Sequence, residues 1–278
     1  MVLNLDKATV DSFGDEWSRF DQRDMPHEEA KRHFDAYFSV FPWDKINESS
    51  EGFDMGCGTG RWARFVAPRV GRLHCIDPSS ALAVARQALK LQHNVSFHQA
   101  SVSNNCITPG SQDFGYSLGV LHHVPDTALA IKSCVSLLKP GAPLLLYLYY
   151  AFDNRPKWFR FFWKSSNIVR LLICSLPPNL KRFSTDIIAA FVYFPLARLA
   201  AFCAALKIKV DLFPLSAYAH CSFYTMRTDS RDRFGTPLEK RFTRSQITSM
   251  CASAGLVNLK FLDSVPFWCV VGYKSLIQ

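Results

Sequence analysis

The stretch that most constrains the fold of this chain is FDMGCGTGRW, residues 53–62, in which three glycines occupy five positions. The residues just before it predict a short strand, and the run that follows it, RWARFVAPRV, predicts a helix. Glycine loses much conformational entropy when it is fixed, so three of them close together indicate a turn that requires them. In an open parallel sheet, a turn between the carboxyl end of a strand and a helix is a ligand site. We expect these glycines to make room for a cofactor and not for a packing neighbour.

Strands and helices alternate from this turn to about residue 150. Further strands are predicted in RLHCID, NVSFHQAS, QDFGYSLGVLHHV and APLLLYLYY, with helices in SSALAVARQALKLQ and DTALAIKSCVSLLKP. This alternation is typical of parallel strands joined by right-handed crossovers. Near the end of the chain, LVNLKFLD and FWCVVGYK are too close for a helical crossover and predict an antiparallel hairpin. The predicted fold is α/β, a Rossmann-like doubly wound sheet of seven strands.

Three parts of the chain differ in composition. Residues 1–45 predict a helical N-terminal cap, with Phe13, Trp17 and Phe20 on one face. Residues 46–150 and 237–278 carry the predicted sheet, and residues 151–236 predict a helical insertion that is rich in aromatic residues. The insertion holds most of the chain's excess positive charge, because residues 151–236 contain 13 Lys and Arg against 5 Asp and Glu.

The motifs DMGCGTG, HCIDPSS and LLKPGAP, together with the terminal hairpin, resemble the class I methyltransferases that use S-adenosylmethionine. The resemblance covers roughly residues 50–150 and 237–278, and DxGCGTG is the most specific part of it. It implies S-adenosyl-L-methionine as the cofactor and methyl transfer as the activity. The implied contacts to the methionine end of the cofactor are Asp54, Gly56, Cys57, Gly58 and Gly60.

The same resemblance assigns the other end of the cofactor. Asp77 takes the ribose hydroxyls, and Pro78 and Ser79 take the edge of the adenine. The family usually has an aspartate after the third strand, where this sequence has Ser101 followed by Val102, so a hydroxyl or a backbone group is expected there instead. Leu118 follows beside the cofactor.

Other interpretations of the glycine turn remain open. A dinucleotide oxidoreductase favours the spacing G-x-G-x-x-G, whereas the spacing here is one residue tighter, and a terminal hairpin does not fit that class well. A non-catalytic module that binds the cofactor is a further alternative. Asp77 could also be a plain helix cap.

Two adjacent histidines follow the fourth predicted strand in SLGVLHHVPD. A hydroxyl or ammonium acceptor must lose a proton, so a base at this edge of the sheet is useful. His122 and His123 are the candidates, and His123 is preferred because the second position often faces the substrate in related methyltransferases. One of them could instead only pack on the following helix. The (D/N)PP(Y/F) motif of nucleobase amino methylases is absent, which argues against DNA adenine methylation.

Aromatic residues are the other candidates around the reaction centre. Trp17 is expected to fold over the cofactor, because an aromatic face near a sulfonium cation is favourable, although it could equally pack the N-terminal helix on the core. Tyr147, Tyr149 and Tyr150 end the fifth strand, and alternation means that they cannot all face one pocket. Tyr149 is the predicted substrate contact.

Three interpretations of the insertion are open. It could be a lid over a small acceptor, a surface that docks on an anionic membrane and admits a lipid-like acceptor, or, least favoured because of its apolar content, a nucleic-acid surface. Pro195 and Arg198 interrupt its apolar run, so a membrane span is not expected. A polar patch after this run is a candidate acceptor site, or else an ordinary surface loop; its members are Tyr218, His220, Tyr224 and Arg227.

The remaining expectations concern metals and compartment. The nine cysteines lack the short spacings of a metal or redox site and are expected to be reduced thiols in a cytoplasmic protein. No metal is predicted, and no signal peptide is visible at the N-terminus. The sequence does not predict the oligomeric state.

Overall fold

The fold is taken from a computed structural model, which describes residues 4–276. Its centre is one seven-stranded sheet in the order β3-β2-β1-β4-β5-β7-β6. The first five strands are parallel, and β7 runs antiparallel to both β5 and β6. The prediction of a doubly wound sheet with a terminal antiparallel hairpin is therefore confirmed. The strands are β1 Glu51–Met55, β2 Arg72–Ile76, β3 Val95–His98, β4 Phe114–Leu118, β5 Pro143–Tyr147, β6 Leu256–Phe261 and β7 Val270–Lys274.

Ten α-helices lie within residues 4–276. Several begin at side-chain caps: Asp6, Asp126 and Thr243 each accept a hydrogen bond from a backbone N–H in the first turn of the helix that follows, as is favourable at helix N-termini. The helices are α1 Lys7–Arg19, α2 His27–Tyr37, α3 Ala63–Val66, α4 Ala81–Ala88, α5 Thr127–Leu137, α6 Lys157–Cys174, α7 Pro178–Ile188, α8 Phe194–Ala205, α9 Phe223–Gly235 and α10 Arg244–Ser253.

The chain forms two compact units. The first comprises residues 1–21, 31–151 and 238–278 and contains the whole sheet. Its core lies on both faces of the sheet, because neighbouring strand residues such as Leu144 and Leu145 belong to different buried clusters, as alternation along a strand requires. All nine cysteines of the chain lie within the described residues, and none of them forms a disulfide.

The second unit comprises residues 22–30 and 152–237 and is helical. Its core is small and centres on Ile173, Tyr193, Ala197, Met226 and Phe234. The interruption expected at Pro195 is absent: the helical chain continues from Pro178 to Ala205, through a π-helical turn at Ala189–Tyr193.

Pro195 does not end the helical chain: it lies in the first turn of α8, directly after the π-helical turn. By length and composition the stretch Pro178–Ala205 could cross a membrane, and only 22% of its most apolar window is buried. The expectation against a membrane span stays a prediction.

Two glycines in the sheet core are matched to phenylalanine rings on the neighbouring strand. Gly52 on β1 pairs with Phe114 on β4, and Phe53 pairs with Gly115. A methyl group added at Gly115 would lie 2.2 Å from the nearest atom of the Phe53 ring. We predict that Gly115→Ala lowers the free energy of unfolding by about 1–3 kcal/mol, the usual cost of overpacking a core. Denaturant unfolding of the two proteins measures the difference, and an unchanged midpoint would contradict this packing.

Candidate active site

The glycine turn begins where β1 ends and is held by β2. Gly56, Gly58 and Gly60 have φ angles of +80°, +52° and +77°, a region that residues with a Cβ rarely adopt. The backbone N–H groups of Gly56 and Cys57 both donate to the carbonyl of Ile76, at 2.7 and 3.1 Å. The conformation of the turn therefore requires glycine at all three positions.

Protein neighbours account for two of these glycines. A Cβ on Gly56 would lie 2.4 Å from the Val120 side chain, and one on Gly60 would lie 2.9 Å from Leu89. At Gly56 and Gly60 the absent Cβ makes room for a neighbouring side chain, so the expectation that the glycines make room only for a cofactor is wrong at these two positions. At Gly58 the nearest atom to such a Cβ is Trp17 Nε1, at the ordinary contact distance of 3.5 Å.

Asp77 links the turn to the start of α4. One of its carboxylate oxygens accepts a hydrogen bond from the Gly58 N–H at 2.9 Å. The other accepts from the N–H and the hydroxyl of Ser79, at 2.8 and 2.6 Å. Each carboxylate oxygen has two lone pairs, so the group has capacity left for a ligand hydroxyl. Ser79 precedes Ser80, the N-cap residue of α4, so these bonds organise the loop ahead of the helix and do not cap its first turn. The ligand interpretation of Asp77 stays a prediction.

Asp54, at the end of β1, is buried and lies close to the hydroxyl of Tyr116. Among the described residues, its Oδ2 has no hydrogen-bond partner. Burial raises the pKa of this carboxyl from its ordinary 3.8 to about 8, with a further upward contribution from Asp77 and an opposing one from Tyr116. A buried carboxylate oxygen without a partner is costly, and a cationic ligand beside it would remove that cost.

The ends of β3 and β4 complete this edge of the sheet. Ser101 and Val102 are both buried, and the Ser101 hydroxyl lies 3.4 Å from that of Ser103. Leu118 ends β4 and is followed by Gly119, whose φ is +78°. A Cβ added to Gly119 would have no protein atom within 4 Å apart from those of Gly119 and its two chain neighbours. The sheet edge therefore leaves room beside Leu118.

Helix α1 covers the glycine turn. Gly14 packs so closely on the start of α4 that an added Cβ would lie 2.6 Å from the Ser80 hydroxyl. The three aromatic residues of the predicted stripe have different surroundings: Trp17 lies against Gly58, Phe13 makes an edge contact with His123 at 4.9 Å, and Phe20 is buried. Trp17 is thus placed as the cofactor-covering interpretation requires, and its role stays a prediction.

The two histidines lie in a single turn after β4 and have different environments. His122 is completely buried and stacks on the Tyr149 ring at 3.8 Å. Burial lowers the pKa of His122 well below its ordinary value, and His123 and Arg241 lower it further. His122 therefore stays neutral at ordinary pH and is a poor proton acceptor.

His123 is oriented by a distant part of the chain. Its Nδ1 lies 2.6 Å from the carbonyl oxygen of Leu238. Because a carbonyl can only accept, Nδ1 carries the hydrogen and the neutral ring presents the Nε2 lone pair. This tautomer is the one that a general base acting through Nε2 needs.

The three tyrosines at and just after the end of β5 separate as alternation predicts. Tyr149 lies with the histidine pair, and the guanidinium of Arg241 lies 4.9 Å from the centre of its ring. Tyr147 contacts Tyr37 and Tyr149. Tyr150 lies against other aromatic residues, Phe267 and Trp268.

The residues predicted for the acceptor patch lie in the second unit and have other partners there. Arg227 makes two hydrogen bonds to the carboxylate of Asp186, at 3.1 and 3.0 Å. Tyr224 accepts a hydrogen bond from the Gln22 N–H. The ring of Tyr218 packs on Tyr193 at 5.2 Å, and His220 is exposed. The structure thus gives these residues surroundings within the unit, and the contact of all four with an acceptor stays a prediction.

Sequence reasoning missed several residues that contact the histidine pair. Leu238 and Arg241 lie more than a hundred residues further along the chain, and Arg241 is fixed by an ion pair with Glu239 at 2.8 Å. Tyr116 was missed beside Asp54. The stretch KRF before α10 carries no local signal for Arg241, because its contact with Tyr149 depends on how distant segments of the chain pack.

Comparison with known proteins agrees with this geometry. The family described as a methyltransferase domain matches residues 53–146. A ubiquinone biosynthesis O-methyltransferase of Dechloromonas aromatica is 30% identical over 166 residues, which span 58% of this chain and 69% of that protein.

This chain belongs to the class I S-adenosylmethionine-dependent methyltransferases. A second relative of the same printed name, from Alkalilimnicola ehrlichii, is 34% identical over 111 residues, 39% of this chain and 44% of that protein. The chain thus spans about half the length of the first curated relatives that it matches. The phosphoethanolamine N-methyltransferase 2 of Haemonchus contortus shares the fold, with 16% identity and a TM-score of 0.51 over 92% of this chain and 43% of that one.

The raised pKa of Asp54 makes this methyltransferase sensitive to pH without its cofactor. The Asp54 carboxyl is protonated in the folded chain up to about pH 8 but ionised in the unfolded chain above 3.8. The folded state therefore binds more protons in this range, and stability falls as pH rises through it. Tyr116, Asp77, Cys57 and Cys75 are the other titratable groups near this carboxyl.

We predict that the free energy of unfolding of the cofactor-free protein decreases by more than about 1 kcal/mol between pH 5 and pH 8 relative to Asp54→Asn. The reason is that each whole-number difference in pKa between the folded and unfolded chain corresponds to about 1.4 kcal/mol. Glu48→Gln, at an exposed position, is the matched control and should follow the wild type. Parallel pH profiles for wild type and Asp54→Asn would contradict the assignment.

Proposed function

We propose that this protein transfers a methyl group from S-adenosyl-L-methionine to an oxygen of a small-molecule acceptor. The observation that carries the proposal is the placement of His123, with its Nδ1 hydrogen bonded to Leu238, beside the edge at which β1 and β4 end. Both relatives described above are named as O-methyltransferases. A nitrogen acceptor would need the same removal of a proton.

The cofactor would be held by the groups around the glycine turn. Asp54, with its Oδ2 open to a donor, suits the ammonium of the methionine end. Asp77 suits the ribose hydroxyls, and the buried Ser101 offers a hydroxyl to the adenine. S-adenosylmethionine, when bound, carries its methyl group on a sulfonium that is already a good leaving group.

The residues of the chain supply positioning and proton removal. Trp17 and α1 exclude water from the glycine turn, and Tyr149 positions the histidine pair by stacking on His122 and contacting His123 edge-on. His123 Nε2 would accept the proton of the acceptor hydroxyl as that oxygen takes the methyl group and the cofactor leaves as the neutral thioether S-adenosylhomocysteine. The Leu238 carbonyl, which accepts a hydrogen bond from Nδ1, would stabilise the resulting imidazolium. Alignment of the acceptor accounts for much of the remaining acceleration.

The second unit serves as a lid over the acceptor or as a contact with a membrane surface that presents a lipid-like one. Nothing favours nucleic acid as the acceptor. A cytoplasmic location agrees with nine cysteines that form no disulfide. The rival function, a module that binds the cofactor without using it, predicts tight binding and no turnover.

Release of S-adenosylhomocysteine tests the proposal. The purified protein is incubated with S-adenosylmethionine and a panel of phenols, catechols and amines, both water-soluble and lipophilic, and the product is quantified. We predict turnover with at least one hydroxyl-bearing acceptor and a loss of roughly a hundredfold in kcat for His123→Ala, the scale of general base catalysis, with unchanged affinity for the cofactor.

His93→Ala, at an exposed loop position, is the matched control and should keep full activity. The kcat of the wild type should decrease as the pH is lowered through the pKa of a single base. This pH dependence should be absent from the residual activity of His123→Ala. Full activity of His123→Ala would remove His123 from the mechanism. Tight cofactor binding without turnover on any acceptor would support the binding module.

A further inference from the structure

The second unit exposes large apolar side chains where a water-soluble surface would bury them. Of the 24 exposed large hydrophobic residues among those described, 17 lie between Lys157 and Lys209, about a fifth of the chain. Single exposed apolar residues are ordinary, but a contiguous set marks an interaction surface. We call the exposed apolar side chains of α6 and of the helix Pro178–Ala205 the apolar face.

On α6 the apolar residues are outside and the buried positions are mixed. Trp158, Phe161, Phe162, Val169 and Leu172 are exposed and recur at helical spacing. The two buried residues of this helix are Ile173 and Arg170, and the Arg170 guanidinium donates to the carbonyls of Thr236 and Pro237. This arrangement is the reverse of an amphipathic helix that packs on a core.

The helix Pro178–Ala205 likewise exposes its large apolar side chains and buries mostly small or polar ones. Leu180, Phe183, Ile187, Phe191 and Phe194 are exposed at spacings of three and four. The inner side is made of small or polar residues with one aromatic, again at helical spacing; these are Thr185, Ala189, Tyr193, Ala197 and Ala200.

The inner side of this helix packs on the polar helix α9. The hydroxyl of Ser230 donates to the Thr185 carbonyl at 2.8 Å, and Asp186 forms an ion pair with Arg227. If Pro178–Ala205 crossed a bilayer, the charged side chains of α9 would have to enter the hydrocarbon with it, at high cost. The helix can therefore meet lipid on one side only, lying along the membrane surface.

Charge identifies the membrane that fits. Between Lys157 and Lys209 the sequence contains nine Lys and Arg but only one acidic residue, Asp186, and Arg227 pairs with it. On α6, the exposed Lys157, Arg160 and Lys164 lie along one side of the apolar residues, where long basic side chains reach phosphate groups. A second copy of this chain would bring the same positive charge to the contact.

We propose that the apolar face docks on an anionic lipid bilayer, with α6 and Pro178–Ala205 lying in the plane of its surface. The aromatic and aliphatic side chains enter the boundary between head groups and acyl chains, and the flanking cations bind lipid phosphates. The proposal does not depend on methyl transfer, because it rests only on the second unit.

Flotation of the full chain with vesicles tests it. Vesicles of phosphatidylcholine alone are compared with vesicles that also contain phosphatidylglycerol. We predict that the wild type floats with the anionic vesicles. The triple variant Lys157→Gln, Arg160→Gln and Lys164→Gln should bind these vesicles with a partition coefficient lower on the order of a hundredfold, since each cation near an anionic surface contributes roughly a factor of five.

A second variant separates the apolar contribution. The double variant Phe183→Ser and Phe191→Ser should bind the anionic vesicles with a partition coefficient lower by at least about tenfold, because two aromatic side chains no longer enter the lipid. Leu91→Ser, at a position 79% exposed in the first unit, is the control and should bind like the wild type. A carbonate wash should release the bound protein. A wild type that stays in solution with anionic vesicles, or one that self-associates instead of binding them, would overturn the proposal; resistance to carbonate would overturn the in-plane orientation.

Discussion

The carboxylate of Asp77 joins the two loops on which the candidate site is built. Its two oxygens bind the backbone of the glycine turn and the residue pair ahead of α4. A charged acceptor with three donors is a strong, directional link, so the turn after β1 and the loop after β2 keep a fixed separation. The candidate cofactor site depends on this separation, because its predicted residues lie on those two loops.

The histidine pair of the candidate site depends on contacts that are distant in sequence. His123 is oriented by Leu238, and Tyr149 lies between His122 and Arg241. The loop before α10 is thus part of the candidate site, although the residues of the second unit separate it in sequence from β5. A substitution in this loop would change the histidine tautomer or tilt without touching the glycine turn.

Local patterns predicted the fold. The glycine turn after β1 and the short gap before the last strand follow from turn chemistry and crossover length, which are properties of adjacent residues. The cofactor residues, among them Asp77 just after β2, came from the resemblance of the motifs to class I methyltransferases, and their contacts stay predictions. The contacts of His123 with Leu238 and of Tyr149 with Arg241 could not be predicted, because they depend on how distant segments pack. Pro195 was misjudged for a related reason: a π-helical turn precedes it and the helix continues, which propensity alone does not reveal.

The proposed methyl transfer requires that the glycine turn with Asp54 and Asp77 binds S-adenosylmethionine. The most direct test is calorimetric titration of the purified protein with S-adenosylmethionine and S-adenosylhomocysteine, with NAD as the control. We predict saturable binding of the first two and none of NAD. Binding of NAD, or of none of the three by a folded sample, would contradict this prediction.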